Sequence, residues 1–399
     1  MPKKDKFDAA ELLCLAMWKP PRTFALRGVF GFGKETLLFN YALGRRIHRS
    51  FRCELPHRML LNPPLAPMEA RSVDEIPTGE GWQYEPKWDG FRCIAFRDGE
   101  QIHLQSKAGQ PLARYFPDIV HAIARLPAPQ FVLDGELVVP VSGALSFDEL
   151  QLRLHPAASR VQKLAKAHPA MFIVFDLLAE NGQSYLTRPL RERWRLLEKF
   201  AHLNFRSAKA LRLSPATTDH RTASEWFKKV GGDLDGIVVK HLDAAYASGE
   251  RTAAVKVKQI RTADCVVGGF RYGRGTRLVG SLLLGLYGDD GLLHHVGFTS
   301  SFTKSERREL TKKFEALKKA PGFTGNAPGG PSRWSTDRTG EWEPVAPKIV
   351  VEVAYDHFTG GRFRHGTRFL RWRPDKAPRQ CAMDQVEQRE GKSLALLHR

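Results

Sequence analysis

From about residue 80 onward the chain alternates short apolar runs with turn residues. Segments 84–86, 91–96 and 102–104 have the composition of strands, and Asp89-Gly90 and Asp98-Gly99 supply the turns between them. Segment 112–126 carries Tyr115, Phe116, Ile119, Val120 and Ile123 at the spacing of one buried helical face. Segments 131–139 and 171–178 are apolar and rich in β-branched or aromatic residues, which predicts buried strands. Between them, 147–168 reads as helical with a break at Pro156; 191–203 reads as a second amphipathic helix and 236–240 as another strand. Strands and helices mix without strict alternation, so the pattern predicts an α+β fold rather than a doubly wound sheet.

The texture changes after residue 261. Segments 265–270, 280–287, 292–298 and 348–358 are strand-like, with Gly-rich turns and a single predicted helix over 304–319. A small barrel with one helix follows, and the count suits an oligonucleotide-binding (OB) barrel. Residues 1–58 hold no sustained period, and the proline-rich stretch after Met59 leads into the regular part. The expectation is that the working protein starts at or near Met59, with 1–58 a spurious or poorly ordered extension.

Composition adds a partner class. The 399 residues hold 62 Lys and Arg against 43 Asp and Glu, a net charge of +19, with an ordinary 42% hydrophobic content. The surplus is heaviest in 1–58 and 263–399 and slight between them. Such a balance favours a polyanionic partner, nucleic acid above all, because cations laid along phosphates release condensed counterions. The five cysteines are scattered and form no Cys-x-x-Cys pair, so neither a disulfide framework nor a zinc site is indicated. No apolar run has the length to span a bilayer, no export signal is read, and the expected location is the cytoplasm.

Chemistry concentrates first in Glu85-Pro86-Lys87-Trp88-Asp89-Gly90-Phe91-Arg92. A lysine between a strand and an Asp-Gly turn is fixed in direction and can face a cleft, and Arg92 returns a second cation on the next strand. Lys87 is thereby a candidate nucleophile; a hairpin lysine in solvent is the alternative on these residues alone.

Lys87-x-Asp89-Gly90-x-Arg92 resembles motif I of the covalent nucleotidyltransferases: ATP-dependent DNA ligases, RNA ligases and messenger-RNA capping enzymes. Further strings follow in the order of that superfamily. Ser106-Lys107 resembles motif Ia, Asp134-Gly135-Glu136 motif III, Phe175-Asp176 motif IIIa, and Asp235-Gly236-Ile237-Val238-Val239-Lys240 motif IV. Lys256-Val257-Lys258 resembles motif V and Arg373-Pro374-Asp375-Lys376 motif VI. The series as a whole is most similar to the short bacterial ATP-dependent DNA ligases of the C type. Three positions depart from the usual pattern: Lys107 for arginine, Asp235 for glutamate, and Ala254 for an aromatic residue.

The resemblance implies an ATP-grasp-like nucleotidyltransferase (adenylation) domain over 63–262 and an OB-fold domain over 263–399. It implies that Lys87 attacks the ATP α-phosphate to form lysyl-AMP. Glu85 would meet the adenine and Phe175 would stack on it. Arg92 and Lys107 would bind ribose or the nick phosphate, and Lys256 and Lys258, two apart on one strand face, would reach the phosphates. Glu136 would hold ribose or a metal, and Asp235 would hold magnesium, with manganese the other option. Arg373, Asp375 and Lys376 would orient pyrophosphate when the barrel closes over ATP.

The implied activity is ATP-dependent sealing of nicked duplex DNA by a monomer, with DNA-repair proteins as expected partners and no membrane partner. An RNA ligase or capping guanylyltransferase is the alternative within the superfamily, and an inactive DNA-binding protein the alternative outside catalysis. The string 28–34 nearly spells a phosphate-binding loop, but Glu35 stands where a hydroxyl is needed, so it reads as chance. The histidines, His220, His294, His295 and His357 among them, receive no role.

Overall fold

The structure, a computed structural model, describes residues 61–206, 208–229, 234–329, 341–386 and 393–398. The expected extension 1–58 and the 28–34 string lie outside the described residues. Fourteen principal strands and six helices organise the rest. The first half holds β1 (Arg71–Ser72), β2 (Trp82–Trp88), β3 (Phe91–Asp98), β4 (Gln101–Ser106), β5 (Gln130–Val138), β6 (Met171–Glu180), β7 (Leu211–Leu213), β8 (Leu234–His241) and β9 (Ala254–Lys258). Its helices are α1 (Pro117–Ala124), α2 (Phe147–Leu152), α3 (Ala158–Ala167), α4 (Leu190–Asn204) and α5 (His220–Lys229).

These strands make two sheets, ordered β1-β9-β8-β2 and β7-β6-β5-β3-β4. Strands β5 and β6 lie inside the larger sheet and are buried almost end to end, which is why apolar side chains fill both faces of each strand and the fully buried charges among them, Asp134 and Asp176, have partners. On β3 the alternation is clean. Cys93 and Ala95 join the core under α1 and α4, with Ile119, Ile123, Leu197 and Phe200, while Ile94 and Phe96 face Met68, Tyr246 and Ala254 on the other side. In the smaller sheet Tyr84, Ile237, Val239 and Val255 turn outward beneath Ala223 and Trp226 of α5. Their sequence neighbours therefore point inward, toward the larger sheet.

Local chemistry sets several boundaries. The helix expected over 112–126 begins only at Pro117, after a short 3-10 turn, because proline has no N–H to donate and is preorganised for a first helical turn. Leu112 and Leu126 still enter the core, so the apolar pattern outlasts the helix. Its C-terminal carbonyls are collected by Arg97 of β3, whose guanidinium donates to the oxygens of Ile123 (2.9 Å), Ala124 (3.0 Å), Leu126 (2.7 Å), Ala128 (2.9 Å) and Gly99 (3.1 Å). The segment 147–168 divides around Pro156 into α2 and α3. Helix α5 is absent from the sequence expectation; Asp219 starts it by accepting from the backbone N–H groups of Arg221 (3.1 Å) and Thr222 (3.0 Å).

The second half holds β10 (Arg261–Tyr272), β11 (Val279–Tyr287), β12 (Leu293–Thr299), α6 (Lys304–Glu315), β13 (Val350–Tyr355) and β14 (Arg368–Trp372). One sheet runs β12-β11-β10-β13-β14, and α6 starts in a Thr303/Glu306 capping box. Among the described residues the two edge strands meet at a single bridge, Thr299 to Thr367, so the OB-like sheet curls nearly to closure. Its inside is filled by Phe270, Leu282, Leu284, Val296, Phe314, Val351 and Val353. No helix among the described residues is long and apolar enough to cross a membrane.

Candidate active site

A cavity of about 870 Å³ opens between the two sheets of the first half. The inward alternation of each strand supplies its walls: Glu85 and Lys87 from β2, Lys240 from β8, Lys256 from β9, Arg92 from β3, Glu136 from β5, Phe175 from β6, and Lys107 just after β4. Seven of these eight are residues that the sequence nominated. The β2–β3 turn is forced tight, since a Cβ on Gly90 would stand 2.2 Å from the Leu137 carbonyl oxygen. Gly236 has φ +144° at a bulge in β8, and a Cβ there would lie 1.9 Å from the Val257 oxygen.

The deep wall is charged yet buried. Glu85 lies 2.7 Å from Lys240 Nζ and accepts from Gln83 at 2.8 Å. Burial pushes the Glu85 carboxyl upward, and the Lys240 ammonium opposes that shift. The Phe175 ring stands close to two cations, 4.8 Å from Lys240 Nζ and 4.6 Å from Arg92 Cζ. Arg92 is itself clamped by Asp134, with bonds of 2.6 and 2.5 Å, and Asp134 also accepts from the Tyr246 hydroxyl at 2.5 Å. Burial works against the Arg92 charge, but Asp134 outweighs it and pushes the guanidinium upward.

At the mouth, Lys87 is ion-paired with Asp235. Asp235 also meets His357 Nε2 at 2.7 Å and Lys258 at 3.5 Å. Burial alone would raise its carboxyl; His357 and Lys87 hold it well below the usual carboxylate range. Lys256 is lowered, first by burial and then by the charges of Lys87 and Lys258. Glu136 is pushed up to about 8 by burial, with Lys87 and Arg92 pulling the other way. Lys107 pairs with Glu69 at 3.2 Å on the rim. An acceptor–donor pair beneath an aromatic ring, with a lysine and several cations toward the opening, can take a nucleobase inside and its phosphates outside.

Comparison with known proteins agrees. Residues 63–258 match the family model of the ATP-dependent DNA ligase domain, and 275–376 match that of the ATP-dependent DNA ligase C-terminal region. DNA ligase C2 of Mycolicibacterium smegmatis is 44% identical over 341 residues, covering 82% of this chain and 95% of that protein. DNA ligase C of Mycobacterium tuberculosis is 42% identical over 341 residues, covering 82% and 94%. The chain belongs to the ATP-dependent DNA ligases. A solved Lig E DNA ligase superposes on this ligase with a TM-score of 0.50 at 18% identity, over 77% of this chain and 99% of that one; at that identity the likeness is one of fold.

The remaining nominated residues lie outside the ligase's cavity. Lys258 turns to Asp356 at 3.0 Å, and Asp235 stands behind Lys87. Arg373 and Lys376 both bind Asp264 at the start of β10, at 2.9 and 2.7 Å, while Asp375 pairs with Arg373 at 2.8 Å. The motif VI group is thus held on the C-terminal sheet in this conformer. Asp235, Asp356 and His357 are the only three His, Cys, Asp or Glu side chains among the described residues whose ligand atoms come within 4.8 Å of one another. Glu136 is not among them.

Sequence reasoning quoted Lys240 within motif IV and weighed His357 without giving either a role, and it passed over Tyr246. Lys240 ends an apolar strand, and a lysine in such a run signals a buried partner. Tyr246 and His357 left no local signal, because their partners are 112 and 122 residues away.

Proposed function

We propose that Lys87 is the nucleophile of this ligase and that the cavity holds ATP with its base against Phe175. The observation that carries this is the run from the buried Glu85–Lys240 pair to Lys87 within one 870 Å³ cavity lined by Arg92, Lys107 and Lys256. The Lys87 amine attacks the α-phosphorus, a P–N bond forms, the bond to pyrophosphate breaks, and the lysine gives up a proton. AMP then passes to the 5′-phosphate at a nick, and the 3′-hydroxyl displaces it to make the phosphodiester. Glu85 accepts from the exocyclic amine of adenine, and Arg92 and Lys107 hold ribose or the nick phosphate. Lys256 and Lys258 steady the phosphates, and Arg373, Asp375 and Lys376 orient pyrophosphate once the C-terminal domain has turned them inward.

Glu136 inside the cavity and Asp235 beside Lys87 each offer carboxylate oxygens that suit a hard divalent cation, magnesium or manganese; the two do not converge on one position in this conformer, and the burial that raises Glu136 is relieved by a nearby cation. Bound there, the ion would neutralise phosphate charge. The basic C-terminal domain supplies much of the grip on DNA, so affinity falls steeply with salt. The enzyme works as a monomer on one nick, on the bacterial nucleoid and in the company of repair proteins.

The test is labelling with α-labelled ATP followed by sealing of a nicked duplex. Wild type should carry covalent AMP and seal DNA strands; Lys87→Ala should do neither while still binding nicked DNA. Label persisting on the Lys87→Ala protein, or label taken from GTP in preference to ATP, would overturn the reading.

A further inference from the structure

Among the described residues the C-terminal domain reaches Asp89, Asp235 and Lys258 through the stretch 356–365, between β13 and β14, while Leu396 and Leu397 pack separately against the cluster of Trp88, Val138, Ile173 and Leu234. Within it a short hairpin, Phe358–Thr359 with Arg362–Phe363, turns on Gly360 and Gly361, both at positive φ. Arg364 grips Asp89, two residues after the nucleophile, with bonds of 2.5 and 2.7 Å, and lies 3.6 Å from the centre of the Phe147 ring. Asp356 binds Lys258 at 3.0 Å. His357, only 3% exposed, brings Nε2 to 2.7 Å from Asp235 Oδ1, with Nδ1 at 3.8 Å from Asp89. Its backbone is fixed on both sides, since its N–H donates to Asp356 Oδ1 (2.9 Å) and its carbonyl accepts from Arg364 (3.0 Å).

This docking excludes another. While 356–365 occupies Asp89, Asp235 and Lys258, Arg373 and Lys376 are bound to Asp264 on the same domain. The conformer therefore lacks the motif VI group at the cavity and cannot be the one that orients pyrophosphate. It suits the later steps, after pyrophosphate has left.

We propose that His357 is a positioning residue for those later steps: it donates from Nε2 to Asp235 and fixes that carboxylate beside Lys87 only while the C-terminal domain is docked through 356–365. The inference rests on the assignment of Lys87 and Asp235 to the chemistry. Its physical basis is that a carboxylate with two oxygens and several competing cations has many orientations, and a buried donor from another domain selects one. A purely structural histidine would support every step alike. A positioning one would support only those run in this conformer.

The experiment compares full-length wild type, His357→Ala and His357→Gln in two assays: covalent AMP formation from labelled ATP, and single-turnover sealing of a nick already carrying 5′-adenylate. Gln retains an N–H near the position of Nε2. We expect His357→Ala to load AMP at close to the wild-type rate, to seal the adenylylated nick roughly tenfold to a hundredfold more slowly, and His357→Gln to recover most of that loss. Wild-type sealing by His357→Ala, an equal loss in both assays, or a Gln variant as slow as Ala would each overturn the inference. Failure of wild type itself to load AMP would instead overturn the assignment it rests on.

Discussion

The Lys240 ammonium lies 2.7 Å from the Glu85 carboxylate, and both side chains are almost wholly buried, 5% and 3% exposed. Each is tolerable inside the protein because the other is there. Removing one charge alone, by Glu85→Gln or Lys240→Met, should cost about 3–5 kcal/mol, since a buried charge is left unpaired. The double change Glu85→Gln with Lys240→Met should cost much less than the two losses added together. Urea denaturation of the three variants measures this, and simple additivity would refute the coupling.

Glu136 makes the stability of the protein depend on pH. Its folded carboxyl is pushed up to about 8 from an ordinary 4.5, so between those values the folded chain holds a proton that the unfolded chain has released. The cost of burying it is absent below about pH 4.5, grows as the pH rises, and is complete above about pH 8. Glu136→Gln should therefore match wild type in stability at low pH and exceed it progressively toward pH 8. Denaturation in chelator across that range is the measurement; a pH-independent difference would contradict it.

Tyr246 acts on the site through Asp134. Its hydroxyl donates to Asp134, which is 0% exposed, and accepts from the Met68 N–H at 3.0 Å. Tyr246→Phe leaves the Met68 N–H without its acceptor and takes one donor from Asp134, and should cost about 1–3 kcal/mol. Because Asp134 also clamps Arg92, the ATP concentration for half-maximal AMP loading should rise while the loading rate at saturation changes little. A loss confined to saturating rate would point to another role.

Gly236 permits the bulge that turns Asp235 toward Lys87. Gly236→Ala sets a Cβ against the Val257 carbonyl oxygen and should break the β8–β9 ladder, destabilising the protein by more than about 3 kcal/mol. Gly143→Ala is the control, at φ +88° with nothing within 4 Å of the added atom, and should cost only about 1–2 kcal/mol of backbone strain. Thermal denaturation separates them, and equal losses would discount the close approach.

The strands that line the cavity were legible because their signals are local. Lys87, Glu136, Phe175 and Lys256 sit in short strings whose alternation already points them to one face. What escaped depends on residues far apart in the chain. Pro117 shortened a helix whose apolar pattern begins at Leu112, because packing and hydrogen bonding obey different limits. Helix α5 was hidden by its polar surface, although Asp219 followed by Ala223, Trp226 and Phe227 spells a cap and an apolar stripe. His357 reads as an ordinary strand-end residue until the fold sets it beside Asp235.

Arg97 has a consequence for how this ligase can be re-engineered. One guanidinium ties the end of α1 and the loop that follows it to the far end of the strand bearing Arg92. Chain ends or inserted peptides placed between residues 124 and 128 would have to scatter four carbonyls that a single side chain gathers. That surface loop is accordingly a poor point for circular permutation, whereas the turn at Ser142 and Gly143, free of such ties, is a good one.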